Sequence, residues 1–555
     1  MYTGLLETIK NYNKIQFRKD VVAGLSVAAI SLPQNMAYAL IVGVEPVYGL
    51  YATIIAMVLF TFVGQSNYMI VGPTNIMALA IAGSVGGLAQ GNYLEAVLLF
   101  TFLIGVSQLL FGLLKMGKLV KYVPHSLIIG LTTGAVVLIA VGQLQNILGI
   151  SVNGGANLFS EIYIVFTNLW QINWITFFIG VLTVLIILLV RKVNRKLPSY
   201  LISIVAITII AYVFNLDQKI AVVGNLPDGI LRFSIPSFNW DLISSLLSQG
   251  LSVALLGLLQ TLAVLKSVSL LKREEVDVNS EFIGQGIINV AASFFNGFAT
   301  AGSFTNSYTN IQANAATRVA QFVSGLVFVF ALLLGRGLLS YLPISALSGL
   351  VIVVAIVSID IGEIKRNVRI TQGDATIFTV TFLATIILPS IANAIYIGLI
   401  TSAVVVLRKT EKINLGVLTY ESEDDYFRHR SVEELSEEFE KEHFIVVNMR
   451  GNLQFSSVDN LRMKFDKVLN RGQNFILRLR EIERMDITIL KELERFIDKV
   501  HEEEGIVVLS GVDKAQYERM KRYGIINKVN EENVYLSDEK YFSSTKEAYD
   551  FMEIR

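Results

Sequence analysis

Tyr68-Met69-Ile70-Val71-Gly72-Pro73-Thr74-Asn75 and Gly297-Phe298-Ala299-Thr300-Ala301-Gly302-Ser303-Phe304-Thr305-Asn306-Ser307 are the two stretches whose reading decides the fold. Each is an extended-looking run that interrupts an apolar chain and feeds a short helix of small and polar residues. Proline suits the first turn of a helix, where its missing N–H is not needed. A helix that crosses hydrocarbon needs about 20 mostly apolar residues. Counting outward from the two runs gives roughly fourteen such segments, centred near residues 30, 56, 80, 105, 134, 182, 205, 258, 288, 308, 327, 351, 380 and 400. The interrupted segments fall third and tenth, seven apart. Read alone, either run is equally a kink or a point of tight helix packing. Two at matching positions in two halves mark a transport site near the bilayer midplane. Seven is odd, so the second half is inverted relative to the first.

Composition agrees with a membrane protein. Of 555 residues, 53% are hydrophobic and 17% charged, with mean hydropathy +0.56; soluble chains carry about 25% charged residues. Ionisable side chains are sparse from residue 20 to about 407 and then crowd together, as in Glu433-Glu434-Leu435-Ser436-Glu437-Glu438. The expected divisions are a segment 1–19, a transport domain 20–410 and a soluble domain 411–555. The net charge of zero is a cancellation between regions and gives no reason to expect nucleic acid. Without cysteine there is no disulfide, thiolate metal site or thiol nucleophile. The four histidines, His125, His429, His443 and His501, are scattered, so neither a metal nor a cofactor is expected.

Basic patches set the orientation. Lys115/Lys118/Lys121, Arg191/Lys192/Arg195/Lys196, Lys272/Arg273, Arg318, Lys365/Arg366/Arg369 and Arg408/Lys409 each follow an even-numbered span, with Arg336 the exception. Lys10, Lys14, Arg18 and Lys19 precede the first span and fit a retained cytoplasmic tail. Both termini are therefore expected in the cytosol, on a multi-pass protein of the cell membrane.

The chemistry follows from the broken helices. A helix that begins inside a membrane leaves its first N–H groups unpaired and carries about half a positive charge there. Two such ends facing each other hold an anion without a buried lysine or arginine. One end contributes up to about 2 kcal/mol, against a Born cost of order 20 kcal/mol for a bare ion. The pocket must therefore open to water from one side at a time, with hydroxyls and amides as further donors.

Ser31-Leu32-Pro33-Gln34-Asn35-Met36-Ala37-Tyr38-Ala39-Leu40, followed by Gly43-Val44-Glu45-Pro46-Val47-Tyr48-Gly49-Leu50-Tyr51, resembles the first-span signature of the SulP sulfate permease family, whose animal members include pendrin and prestin. Ile70-Val71-Gly72-Pro73 is similar to the family's third span, Phe294 to Phe304 to its tenth, and Thr317-Arg318 to that span's end. The resemblance implies an all-α polytopic membrane domain, a 7+7 inverted repeat with core and gate subdomains, in a homodimer. It implies an anion pocket of Gln34, Tyr38, Thr74, Ser303, Phe304 and Thr305. For Tyr38 the residues alone favour a packed aromatic. Two positions depart from the family. Gln260 stands on the eighth span where many members hold a carboxylate, and Asn306 where animal members often hold arginine. Gln260 joins the pocket as a neutral group, so proton- or sodium-driven uptake through it is not expected. Lys266 is expected near the cytoplasmic end of that span, and Glu45 and Glu95 near the outer water.

In the tail, Phe444-Ile445-Val446-Val447, Phe475-Ile476-Leu477 and Ile506-Val507-Val508-Leu509 read as strands and Ile489 to Val500 as a helix. This α/β unit resembles the STAS domain that commonly ends SulP proteins. Anti-sigma-factor antagonist relatives place a phosphorylated serine after an aspartate at this helix; here the pair is Asp486-Ile487, with Thr488 expected as the cap. A cytoplasmic protein partner, folding or assembly is the role this suggests. The whole reads as a secondary transporter of small inorganic anions working by alternating access, sulfate foremost. Bicarbonate, chloride or dicarboxylate carriage, or an uncoupled channel, are the alternatives; no acid-base pair, metal cluster or phosphate loop suggests an enzyme.

Overall fold

The computed structural model describes residues 12–554 except 87–92, 119–122, 151–157, 195–196, 225–230, 389–390, 411–413, 422–425, 432–443, 454 and 539–540. Lys10, Lys121, Arg195, Lys196 and the whole acidic run at 433–438, with His443, thus lie outside the described residues. The chain divides into two compact units, one running to Ser402 and one from Ala403.

The first half of the first unit comprises α1 (Lys14–Val42), α2 (Pro46–Val63), β1 (Ile70–Gly72), α3 (Asn75–Val85), α4 (Tyr93–Leu113), α5 (His125–Leu148), α6 (Leu158–Thr167), α7 (Trp174–Val193) and α8 (Ser199–Val213). The second half comprises α9 (Trp240–Lys272), α10 (Val278–Phe294), β2 (Ala301–Ser303), α11 (Phe304–Gln312), α12 (Val319–Leu334), α13 (Arg336–Leu339), α14 (Ile344–Val357), α15 (Ile361–Ile370), α16 (Gln372–Ile387) and α17 (Ile391–Thr410). Every expected segment centre falls within a helix; α6, α13 and α15 are additional. Among the described residues, eight stretches are long and apolar enough to cross a membrane unaided, while α3, α8, α12 and α16 are shorter apolar helices. The short ones follow from the break at each strand or from proline and glycine punctuation, as at Pro198 before α8. This is a multi-pass membrane protein. Phe178, Leu185 and Leu189 on α7 point outward, at 49–63% exposure, as a lipid-facing surface requires.

Local chemistry fixes the ends that position the site. Asn13 caps α1 by accepting from the N–H groups of Ile15 and Gln16, and Gln16 returns the bond to Asn13. The helix stops at Gly43, whose φ of 90° is left-handed, and α2 restarts with Pro46 in its first turn. There α1 and α2 nearly touch: a Cβ on Gly49 would lie 2.0 Å from the Asn35 carbonyl oxygen. Asn35 Nδ2 donates to Thr53 Oγ1 across the same contact at 2.8 Å.

β1 and β2 pair antiparallel, Ile70 with Ser303, Val71 with Gly302 and Gly72 with Ala301. Each strand runs on into its helix, so antiparallel pairing sends α3 and α11 in opposite directions with both N-termini toward the middle. The inverted repeat is thereby visible in three residue pairs. Two apolar cores flank this crossing. One gathers Met77, Ile81, Leu99, Ile104 and Val253 from α3, α4 and α9. The other gathers Ile139, Ile179, Ile204, Leu347 and Val351 from α5, α7, α8 and α14.

The second unit carries a six-stranded sheet of β3 (Asn414–Glu421), β4 (Tyr426–Ser431), β5 (Ile445–Leu453), β6 (Phe475–Met485), β7 (Val507–Val512) and β8 (Val534–Leu536). The order is β4-β3-β5-β6-β7-β8. β3 is antiparallel to both neighbours, and β5 through β8 run parallel. Helices α18 (Val458–Leu469), α19 (Ile487–Glu502), α20 (Lys514–Tyr523) and α21 (Ile525–Val529) cover one face. The other is covered by α22 (Ser543–Ile554), through Ala548 and Met552. The three expected strands and the helix are present. The cap of α19 is Asp486 and not Thr488. Asp486 accepts from the N–H of Thr488 and of Ile489, at 3.1 and 3.0 Å. The helix already begins at Ile487, which makes Thr488 a donor of the first turn.

Arg478 lies fully buried on β6. It donates to Glu481, to Asn448 Oδ1 at 2.9 Å and to Thr545 Oγ1 at 3.2 Å, and it stacks on Tyr541 and Phe542. That one side chain ties α22 to the sheet.

Candidate functional site

The broken helices meet at a cavity of about 310 Å³, inside the first unit. Tyr38, Thr74, Gln260, Ser303, Phe304 and Thr305 all line it. Thr74 is the N-cap of α3 and accepts from Met77 N at 3.3 Å. Ser303 is the N-cap of α11 and accepts from Asn306 N at 3.4 Å. The N–H groups of Asn75, Phe304 and Thr305 come before the capped ones and have no intrahelical partner. Two helix dipoles thus converge on one space, and among the described residues its lining contains no lysine or arginine.

Gln260 spans the two halves. Its Nε2 donates to the Gly302 carbonyl at 3.1 Å, and its Oε1 accepts from the Thr74 hydroxyl at 3.3 Å. One amide therefore links α9 to β2 and to the start of α3. Space beside it is tight: a Cβ on Gly302 would come within 3.1 Å of Met69 Sδ and 3.2 Å of Thr261 Cα. The Gly302 N–H donates to Thr261 Oγ1 at 3.0 Å.

Behind β2 sits a saturated polar network. Asn289 Oδ1 accepts from the N–H and hydroxyl of Thr300, at 2.8 and 3.0 Å. Asn289 Nδ2 donates to Gln108 Oε1 at 2.8 Å and to the Thr300 carbonyl at 3.0 Å. Sequence reasoning passed over Gln108, Thr261 and Asn289; their signal was the rarity of polar side chains in apolar spans. The entry to β1 is held by acids and one arginine. Glu274 accepts from Ser66 Oγ and Asn67 N at 2.6 and 2.7 Å, and Glu281 from Gln65 N at 2.9 Å. Arg318 donates to the Gly64 carbonyl at 2.6 Å. Asp20 accepts from Ala316 N, Thr317 N and the Thr317 hydroxyl, at 2.7 to 3.0 Å. These charges are tied to backbone and serve position.

Gln34 does not reach the cavity. It is 2% exposed on α1, one turn before Tyr38, and absent from the lining. Lys266, Glu45 and Glu95 are exposed and also outside it. The far wall is built from Ile128, Ile129, Thr132 and Val136 of α5 with Val354 and Ser358 at the end of α14. At one end stand His125 and Glu363, two lining residues that the sequence did not single out. The groups that could hold an anion are thus helix-end N–H groups, hydroxyls, side-chain amides and an aromatic wall.

The chain matches the Sulfate permease family over residues 17–381 and the STAS domain over residues 438–548. It is 28% identical over 531 residues to YvdB of Bacillus subtilis (strain 168), covering 95% of this chain and 97% of that protein. Sulfate transporter 4.1, chloroplastic, of Arabidopsis thaliana is 25% identical over 540 residues, covering 93% of this chain and 78% of that protein. The fold is that of the murine Slc26a9 anion transporter in its inward-facing state, at TM-score 0.87 and 20% identity, covering 99% of this chain and 94% of that one. The transmembrane domain of the cyanobacterial bicarbonate transporter BicA superposes at TM-score 0.61 and 24% identity, covering 70% of this chain and 98% of that one. With its membrane unit matched from residue 17 to residue 381, this chain belongs to the sulfate permease family and ends in a STAS domain.

Proposed function

We propose that the protein is a secondary transporter of small inorganic anions, sulfate foremost, that works by alternating access. The observation that carries the reading is the cavity between the N-termini of α3 and α11, lined by Tyr38, Thr74, Gln260, Ser303, Phe304 and Thr305. Helix ends and neutral donors recognise charge sign and rough size, and a lining without lysine or arginine among the described residues keeps binding weak enough for release. The substrate is held on the side of α3 and α9, and the wall of α5 and α14 moves against it. Relatives named as sulfate transporters favour sulfate as the cargo. Both termini sit in the cytosol of a cell-membrane homodimer, supported by the basic patches at one end of the spans and by the family. The STAS domain serves assembly or docking of a cytoplasmic protein.

The test is uptake of radiolabelled sulfate into liposomes holding the purified protein, with bicarbonate, chloride and dicarboxylates as competitors. Saturable uptake competed most strongly by unlabelled sulfate is expected. Preferential competition by another of these anions would reassign the cargo, and uptake that ignores the trans-side anion and never saturates would point to a channel.

A further inference from the structure

We propose that His125 and Glu363 form a charge-compensated mouth to the cavity and that the imidazole sets how readily a divalent anion enters; this rests on the anion-transport reading. His125 opens α5, and Glu363 lies in the first turn of α15. They meet across 238 positions of sequence, with His125 Nε2 and Glu363 Oε1 2.6 Å apart. Both line the cavity, and their side chains are 61% and 33% exposed, so the pair stands where the cavity meets water.

Charge makes this contact more than a strut. Among the described residues, Glu363 is the one carboxylate in the lining and His125 the one group there able to carry positive charge. The neighbouring acids are otherwise engaged. Asp360 caps α15 by accepting from Glu363 N at 2.9 Å, while Asp374 accepts from Ser126 Oγ at 3.2 Å and from the Thr371 hydroxyl. Lys365, Arg366 and Arg369 of α15 are exposed on the same helix and outside the lining, where they gather anions. An uncompensated Glu363 would repel what that basic rim attracts. Coulomb repulsion doubles with the charge of the anion, so its effect on a divalent ion is the square of that on a monovalent one.

The experiment is initial-rate uptake of labelled sulfate and chloride by full-length protein in liposomes, with every variant measured at the same mildly acidic pH. H125Q should lower chloride uptake about twofold and sulfate uptake about fourfold, and the loss should shrink at about 1 M of an inert salt, where the Debye length is about 3 Å. H125K keeps the charge and should keep the wild-type sulfate-to-chloride ratio. H125Q/E363Q removes the exposed carboxylate and should restore that ratio. Equal loss of both anions in H125Q, or a double variant as impaired as H125Q with an unrestored ratio, would make the pair structural and overturn the proposal. Wild-type protein that carries neither anion would overturn the transport reading together with it, whereas an unchanged ratio in H125Q overturns this inference alone.

Discussion

Gln260 shows what a single side chain contributes at this site. Both ends of its amide are used, one donating to Gly302 and one accepting from Thr74. An ionised glutamate at that position has no proton for the Gly302 carbonyl and would set two oxygens against each other. Gln260→Glu therefore either takes up a proton or lets go of β2. The expected outcome is pH dependence: the ratio of variant to wild-type sulfate uptake should fall several-fold between about pH 5.5 and pH 8. A ratio that stays flat across a liposome pH series would show that the strut tolerates the charge. Wild-type protein should not accumulate sulfate when only a proton gradient is imposed, because Gln260 exchanges no proton. Accumulation would place the coupled proton elsewhere.

At the scale of elements, the junctions of strand and helix carry the site. Ser303 ends β2 and caps α11. A tryptophan at Ser303 or Thr305 fills the space in front of the helix end, and uptake should drop at least tenfold while the protein still elutes as a folded species. Unchanged uptake in both variants would move the binding site. Ser303→Ala is milder: loss of a cap costs about 1 kcal/mol, which should raise the half-saturating sulfate concentration several-fold. In the STAS unit, Arg478 holds α22 on the sheet. Removing one partner of a buried pair costs about 3–5 kcal/mol, so Arg478→Met should speed amide hydrogen exchange across β5, β6 and α22 in the full chain. Burial alone would raise the Glu481 carboxyl; hydrogen bonds from Tyr541 and Arg478 outweigh it and hold the group below the usual carboxylate range. A depressed acid stabilises above its unfolded value, about pH 4.3 for glutamate, and that contribution disappears as pH falls through the folded value. Glu481→Gln should accordingly be less stable than wild type at neutral pH, with the gap closing in strong acid.

For the whole molecule, two units with separate cores predict separable roles. The cavity is enclosed by residues of the first unit alone, Tyr38 to Glu363. Deleting residues from about 420 onward should reduce transport rate or the proportion of assembled dimer, read by size-exclusion chromatography with light scattering. It should leave the order of competing anions unchanged. A changed order would mean that the STAS unit helps form the permeation path.

The sequence by itself determined the broken third and tenth helices, the inversion between halves and the α/β tail. Each depends on local composition: span length, the Gly72-Pro73 break and apolar periodicity act within a dozen residues. Thr74 and Ser303 came as pocket residues from the family resemblance, and the structure makes each the N-cap of its helix. What lines the cavity was decided by tertiary packing. Gln34 and Tyr38 stand one turn apart on α1, yet only Tyr38 reaches the space. Which residue does so depends on the neighbours that α1 packs against. Asp486 displaced Thr488 as a cap because the helix begins two residues sooner than its apolar pattern shows. His125 and Glu363 carry no motif, and their contact exists only because α5 and α15 bring distant parts of the chain together. Long-range pairing of charges leaves no trace in local pattern, since either side chain alone is an ordinary solvated group at a helix start.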